Sequence, residues 1–221
     1  HLNKTPMPVG ILRGISHGYI NFACEVTIDE LAERVGHDPF EFRLAHIEEP
    51  RAREVLTLLQ DKVAKLTLSP QQSIGIAFGH EKAPQGPYQY YNAVAAVVEK
   101  SATGIQVVKV VMALDHGQVI NPDGLLSQAQ GSVVFALSMM FQKQITLNNG
   151  RIQQTNFDDY PVARMGDEVD VELHTTNNHD WPMGVGEKLQ GTIQPAIANA
   201  LYLASGQRVR SIPVNLSELG G

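Results

Sequence analysis

The change in apolar spacing at Ser69-Pro70 constrains this chain more than any other feature. Before it, apolar residues recur at helical intervals: Val55, Leu58, Leu59 and Val63 fall on one helical face. After it, Ile74–Phe78, Ala93–Glu99 and Ile105–Leu114 are runs of small and β-branched residues, as in strands. A chain that is helical first and strand-bearing afterwards must bury both kinds of surface together. The spacing therefore predicts an α+β fold, a mixed β-sheet with packed helices. The expected division is a helical segment over 1–68 and a mixed α/β domain over 69–221.

Local punctuation refines this. Residues 1–16 read as an extended lead-in and loop. A helix is expected over about 20–35, stopped by Gly36, and a short one from Asp38-Pro39 to about Ala45. Pro50 opens a third. Thr103-Gly104 reads as a hairpin turn, and Asn121-Pro122-Asp123 starts a helix to about Met140. Asn148-Asn149-Gly150 is a second hairpin signal, between Gln144–Leu147 and Arg151–Thr155. Val169–Thr175 alternates as a strand, and a last helix, about 191–204, ends at Gly206.

Composition removes several classes of function. The formal charge is −6 and no Lys/Arg run occurs, so no nucleic-acid partner is expected. No run approaches the ~20 apolar residues of a bilayer span. Cys24 is the single cysteine, which excludes an internal disulfide and a cysteine-rich metal site. The start at His1, in the extended Thr5-Pro6-Met7-Pro8 stretch, reads as a cut or processed end of something larger.

The strongest candidate for chemistry is Gly184-Val185-Gly186-Glu187, where a polar loop enters a helix. Glycines there let backbone approach a ligand. On the residues alone the segment reads either as a ligand loop or as an ordinary loop with a first-turn acid favoured by the helix dipole. A dinucleotide fingerprint fails, because Gly191 comes too late for G-x-G-x-x-G. No histidine spacing suggests a metal site. His116 beside Asp115 reads as a ligand pair or, better, as a locally hydrogen-bonded loop histidine. Asp158-Asp159 reads as paired acids or, better, as turn and cap residues, and Phe135, Met139 and Met140 as core.

Several segments in order resemble one family. They are Asp115-His116-Gly117 with Asn121-Pro122, Gln128-Ala129-Gln130-Gly131, Asn156-Phe157-Asp158-Asp159-Tyr160 and Gly184-Val185-Gly186-Glu187. Nearer the start, Pro8-Val9-Gly10 with Arg13 and Gly36-His37-Asp38-Pro39 fit as well. Together they resemble the C-terminal part of the molybdopterin-binding large subunit of xanthine dehydrogenase/aldehyde oxidase-type hydroxylases. The order fits best the branch of isoquinoline 1-oxidoreductase β-subunits and membrane-bound aldehyde dehydrogenases.

The resemblance implies an enzyme that oxidises an aldehyde or N-heteroaromatic substrate with water-derived oxygen. It implies molybdenum on molybdopterin, as the cytosine dinucleotide, and electrons leaving through [2Fe–2S] clusters on a partner subunit. Glu187 matches the family's base, a carboxylate whose pKa burial would raise. Gln128, Gly184, Val185 and Gly186 match cofactor contacts, and Arg13 and Gly14 a loop shaping the substrate pocket. No residue of this chain is expected to bind the metal directly. Lys188-Leu189 departs from the family's usual Pro-Gly, His116 stands where Cys or Val is common, and Trp181-Pro182-Met183 would set pocket shape. The family's pterin-contacting Gly-rich loop belongs upstream, so the remainder of the subunit is expected on a separate chain or lost by cleavage. A cytochrome c or other membrane electron carrier and a periplasmic or membrane-associated location follow as expectations. The alternative is a non-catalytic structural or assembly subunit that keeps the fold without metal.

Overall fold

A computed structural model of the chain describes residues 10–82, 89–102, 104–142, 144–164, 166–167, 169–176, 178–216 and 219. The expectations for the Pro-rich lead-in up to Val9 and for Thr103 lie outside the described residues.

Three helices come first: α1 (His17–Arg34), α2 (Pro39–His46) and α3 (Pro50–Val63). Their ends follow the local chemistry. The Asp38 carboxylate accepts from the Phe40 and Glu41 amides, Glu49 caps α3 through the Ala52 amide, and Gly36 takes the left-handed conformation just past α1. Three long strands follow, β1 (Gln72–Lys82), β2 (Gln89–Ser101) and β3 (Gly104–Asp115), each antiparallel to the next. After α4 (Pro122–Phe141), capped by Asn121, a small hairpin of β4 (Leu147–Asn148) and β5 (Arg151–Ile152) turns through Asn149 and Gly150, both at positive φ. Strand β6 (Asp170–Thr175) then pairs parallel with β3, and α5 (Gln190–Ser205) is the last α-helix among the described residues, with Gly206 left-handed at its end. The main sheet runs β1-β2-β3-β6 and is mixed, as expected.

Both faces of this sheet are covered, which explains why the strands are nearly continuous apolar runs. Period-two alternation sends Ile76, Phe78, Ala93, Ala95, Val111 and Ala113 to a core with Phe40 of α2 and Val55, Leu56 and Leu59 of α3. The alternate positions, Ala77, Val94, Ala96, Val110, Met112 and Leu114, join Val26 of α1 and the buried faces of α4 and α5. The first three helices thus contribute to both cores, α1 to one and α2 and α3 to the other. Helix α4 is long and apolar enough to cross a membrane by length and composition. Uninterrupted apolar runs do not reveal this, because Gln128, Gln130 and serines break the helix into short pieces. Its Ala129, Val133, Ala136 and Met140 are buried in the core beside α5.

Candidate functional site

The segment Gly184–Glu187 lies between β6 and α5. Val185 is buried in the core shared by α4 and α5, which pins the loop, while Gly184 and Glu187 are exposed. The neighbouring Gly186 carbonyl accepts from Arg13 Nε at 2.6 Å. The same guanidinium donates to the Gly131 carbonyl at 3.1 Å, to Ser132 Oγ at 3.0 Å and to Gln128 Oε1 at 3.4 Å, and it lies 5.7 Å from the Phe135 ring centroid. Arg13 therefore ties the lead-in, the middle of α4 and the loop before α5 into one junction. Next to it, Gly14 at φ +89° leaves room for the Glu187 carbonyl, which a Cβ would meet at 3.3 Å. Gln190 Nε2 donates to the Arg13 carbonyl at 2.8 Å.

Five of the residues singled out in the sequence, Arg13, Gly14, Gln128, Gly186 and Glu187, are thus brought to one place. Arg13 also orients the Gln128 amide. A guanidinium only donates, so the oxygen of Gln128 faces it and the Nε2 donor is left over on an exposed side chain. The expected burial of Glu187 is not found: its side chain is exposed, and no hydrogen bond or ion pair engages it among the described residues. The reason is positional, since Val185 and Leu189 take the core-facing directions of this turn. Lys188, the departure from the family pattern, pairs with Glu81 of β1, so its charge is spent away from Glu187. His17 Nε2 stands 3.6 Å from the same carboxylate, and burial, partly offset by Glu81, holds this histidine below its ordinary pKa.

Other sequence candidates resolve differently. Asp115 is not available as a metal ligand. Its oxygens accept from Arg51 Nε and Nη2, both at 2.7 Å, from Asn178 Nδ2 at 2.8 and 3.1 Å, and from the Gly117 amide at 3.2 Å. Burial opposes its ionisation, but those donors and the Arg51 charge outweigh burial and hold the carboxyl below the usual range. His116 is buried, which lowers its pKa, and its Nδ1 has no partner, so the expected local hydrogen bond to the ring is missing there. Asp159 accepts from the Thr155 amide and hydroxyl, as a turn residue does. Met140 is core, but Phe135 and Met139 are only half-buried. Phe135 supports Arg13, and Met139 lines a cavity of about 540 Å³ with Arg13, Ile15, Tyr19, Gln190 and Gln194. Arg51, Asn178 and Ser132 carried no signal in the sequence, because a lone arginine at a helix start or a lone asparagine in a loop is ordinary. Among the described residues no three His, Cys, Asp or Glu side chains gather as a metal site.

Comparison with known proteins adds the family. The model of the molybdopterin cofactor-binding domain matches residues 18–168. The isoquinoline 1-oxidoreductase of Brevundimonas diminuta, in its beta chain, is 31% identical over 96% of this chain and 27% of its own length. One subunit of the nicotinate dehydrogenase of Pseudomonas putida is 30% identical over 92% of this chain and 18% of its own. The chain thus spans about a quarter or less of the length of these relatives. Quinoline 2-oxidoreductase from Pseudomonas putida 86 shares the fold, with a TM-score of 0.80 at 12% identity over 93% of this chain and 52% of that one. With the family model spanning more than half of its residues, the chain belongs to the molybdopterin cofactor-binding domain family.

Proposed function

We propose that this chain is the part of a molybdenum hydroxylase subunit that supplies the proton acceptor and several cofactor contacts for oxidising an aldehyde or N-heteroaromatic substrate. The carrying observation is the junction at Arg13, where Gln128 of α4 meets Gly186, the chain neighbour of Glu187, although α4 and that loop are far apart in sequence. The residues present fit a molybdopterin group. Gln128 offers an outward amide donor, a Cβ at Gly184 would meet nothing within 4 Å, and the Glu187 carboxylate is accessible. When bound, that group would supply the two-electron redox chemistry.

The chain's own residues do the rest. Glu187 takes up, on a carboxylate oxygen, the proton released as oxygen attacks substrate carbon. Gln128 donates a neutral hydrogen bond that orients the cofactor without neutralising it. Gly184, Val185 and Gly186 form the wall against the cofactor, where missing Cβ atoms allow close approach and the buried Val185 fixes its height. Arg13 and Gly14 hold the edge of the substrate pocket. The names of the relatives cover both classes, isoquinoline and nicotinate enzymes on one side and aldehyde enzymes on the other. In this reading the pterin is the cytosine dinucleotide. The remainder of the subunit completes the site, and a [2Fe–2S] subunit takes the electrons onward to a cytochrome c or other membrane carrier in the periplasm.

The test is Glu187→Gln in the assembled complex. Molybdenum content should stay at the wild-type level while turnover falls by roughly 10²–10⁴-fold, the usual contribution of a positioned acid–base group. Wild-type turnover in that variant would remove Glu187 from the mechanism. A complex purified without molybdenum would instead favour the scaffold reading.

A further inference from the structure

We propose that Asp115 is a positioning residue, a latch at the end of β3 that sets where Gly184–Glu187 stands. The inference rests on the reading of Glu187 as proton acceptor. The segment from Asn178 to Leu189 has no strand or helix to hold it. Its start is fastened instead to the chain just past β3. Met183 N–H donates to the His116 carbonyl at 2.7 Å, and Gln118 N–H donates to the Asp180 carbonyl at 2.9 Å. Asn178 gives its amide to both Asp115 oxygens, and its own oxygen accepts from the Asp180 amide at 2.8 Å. Arg51 reaches the same place from α3, the layer on the other face of the sheet. It forks onto Asp115, touches Asp180 at 3.3 Å and lies 5.5 Å from the Tyr91 ring centroid.

Burial and fit make this a latch rather than a surface ion pair. The Asp115 side chain is 1% exposed and its partner arginine 22%. A forked, charge-assisted pair in that setting is far more specific than an exposed one. Gly117, at φ +83°, lets the loop lie flat, since a Cβ there would stand 2.5 Å from the Trp181 carbonyl. The Arg13 junction fixes the loop at Gly186, the Asp115 latch fixes it at Asn178 and, through Arg51, at Asp180, and backbone bonds to His116 and Gln118 continue the fastening to Met183. With both ends held, the Glu187 backbone has one place to stand. A displacement of about 1 Å at a reacting group can cost roughly 10²-fold in rate.

The experiment uses the intact, molybdenum-loaded complex with Asp115→Asn, which keeps shape and removes charge. Hydrogen exchange across residues 176–188 and at Gln118 should quicken. At unchanged molybdenum content, kcat should fall by about 10- to 100-fold with little change in KM. Arg51→Lys, which keeps the charge and loses the fork, should lie between wild type and Arg51→Ala in both readouts, and it tests the latch if Asp115→Asn does not fold. Unchanged exchange in Asp115→Asn, or in both Arg51 variants, overturns the latch whatever Glu187 does. A loosened loop with unchanged kcat overturns the positioning role. A loosened loop with lowered kcat beside a fully active Glu187→Gln enzyme keeps the latch and removes the base.

Discussion

Arg13 carries a permanent charge into a half-buried junction, and its donors are taken up by this chain's own oxygens at Gly186, Gly131, Gln128 and Ser132. Hydrogen bonds to a charged group are the stronger ones, so Arg13→Ala should destabilise the protein by about 2–3 kcal/mol, read as a shift of the urea midpoint. A midpoint shift within error would mean that water replaces the arginine without cost. Asp115 gives the pH dependence. Its folded pKa lies below the usual carboxylate value, so its stabilisation is fully present above about pH 4 and is lost as pH falls through the folded value. Around it lie Arg51, Asp180, Tyr91 and His116, of which Arg51 supplies the compensating charge. Stability measured from pH 5 downward should therefore drop less in Asp115→Asn than in wild type, and equal slopes would contradict the assignment.

At the scale of elements, α1, α2 and β1 are joined by a buried cluster in which Arg43 faces Glu25 and, at 3.9 Å, Asp29. Arg43 Nε donates to Glu25 Oε2 at 2.9 Å, and the same oxygen accepts from the Phe78 amide of β1 at 2.7 Å. Both side chains are at most 5% exposed. Removing Glu25 leaves buried Arg43 with Asp29 at 3.9 Å as its remaining acidic partner, so the loss should fall at or below the range of about 3–5 kcal/mol for a wholly unpaired buried charge. Glu25→Ala should lower the unfolding midpoint accordingly, and a loss below about 1 kcal/mol, the range of an exposed pair, would show that water reaches Arg43. This pair fixes α1 on the sheet edge, and the lead-in to α1 carries Arg13, so the site inherits its geometry from it.

For the whole molecule, the sheet is a middle layer whose two faces are covered by helices from both ends of the chain. Residues 69–221 made alone would uncover Ile76, Phe78, Ala93, Ala95, Val111 and Ala113, and should be insoluble. In the intact protein, α3 and β2 should lose hydrogen-exchange protection at the same denaturant concentration, as one cooperative unit. Separate loss would make 1–68 a domain of its own.

Much of this was legible in the sequence because it is local. Period, cap chemistry and turn residues determined the helices and strands to within a few positions, and the ordered motifs pointed to the family and to Glu187, Gln128 and Arg13. What only the tertiary structure decided depends on how layers stack. Arg13 meets a carbonyl 173 positions away, and Arg51 meets Asp115 across 64. Neither partner leaves a trace in the other's neighbourhood, because a side chain's partner is set by the packing of elements and not by the spacing within one. The exposure of Glu187 belongs to the same class: the turn gives its core-facing directions to Val185 and Leu189, and a string of residue types does not contain that direction.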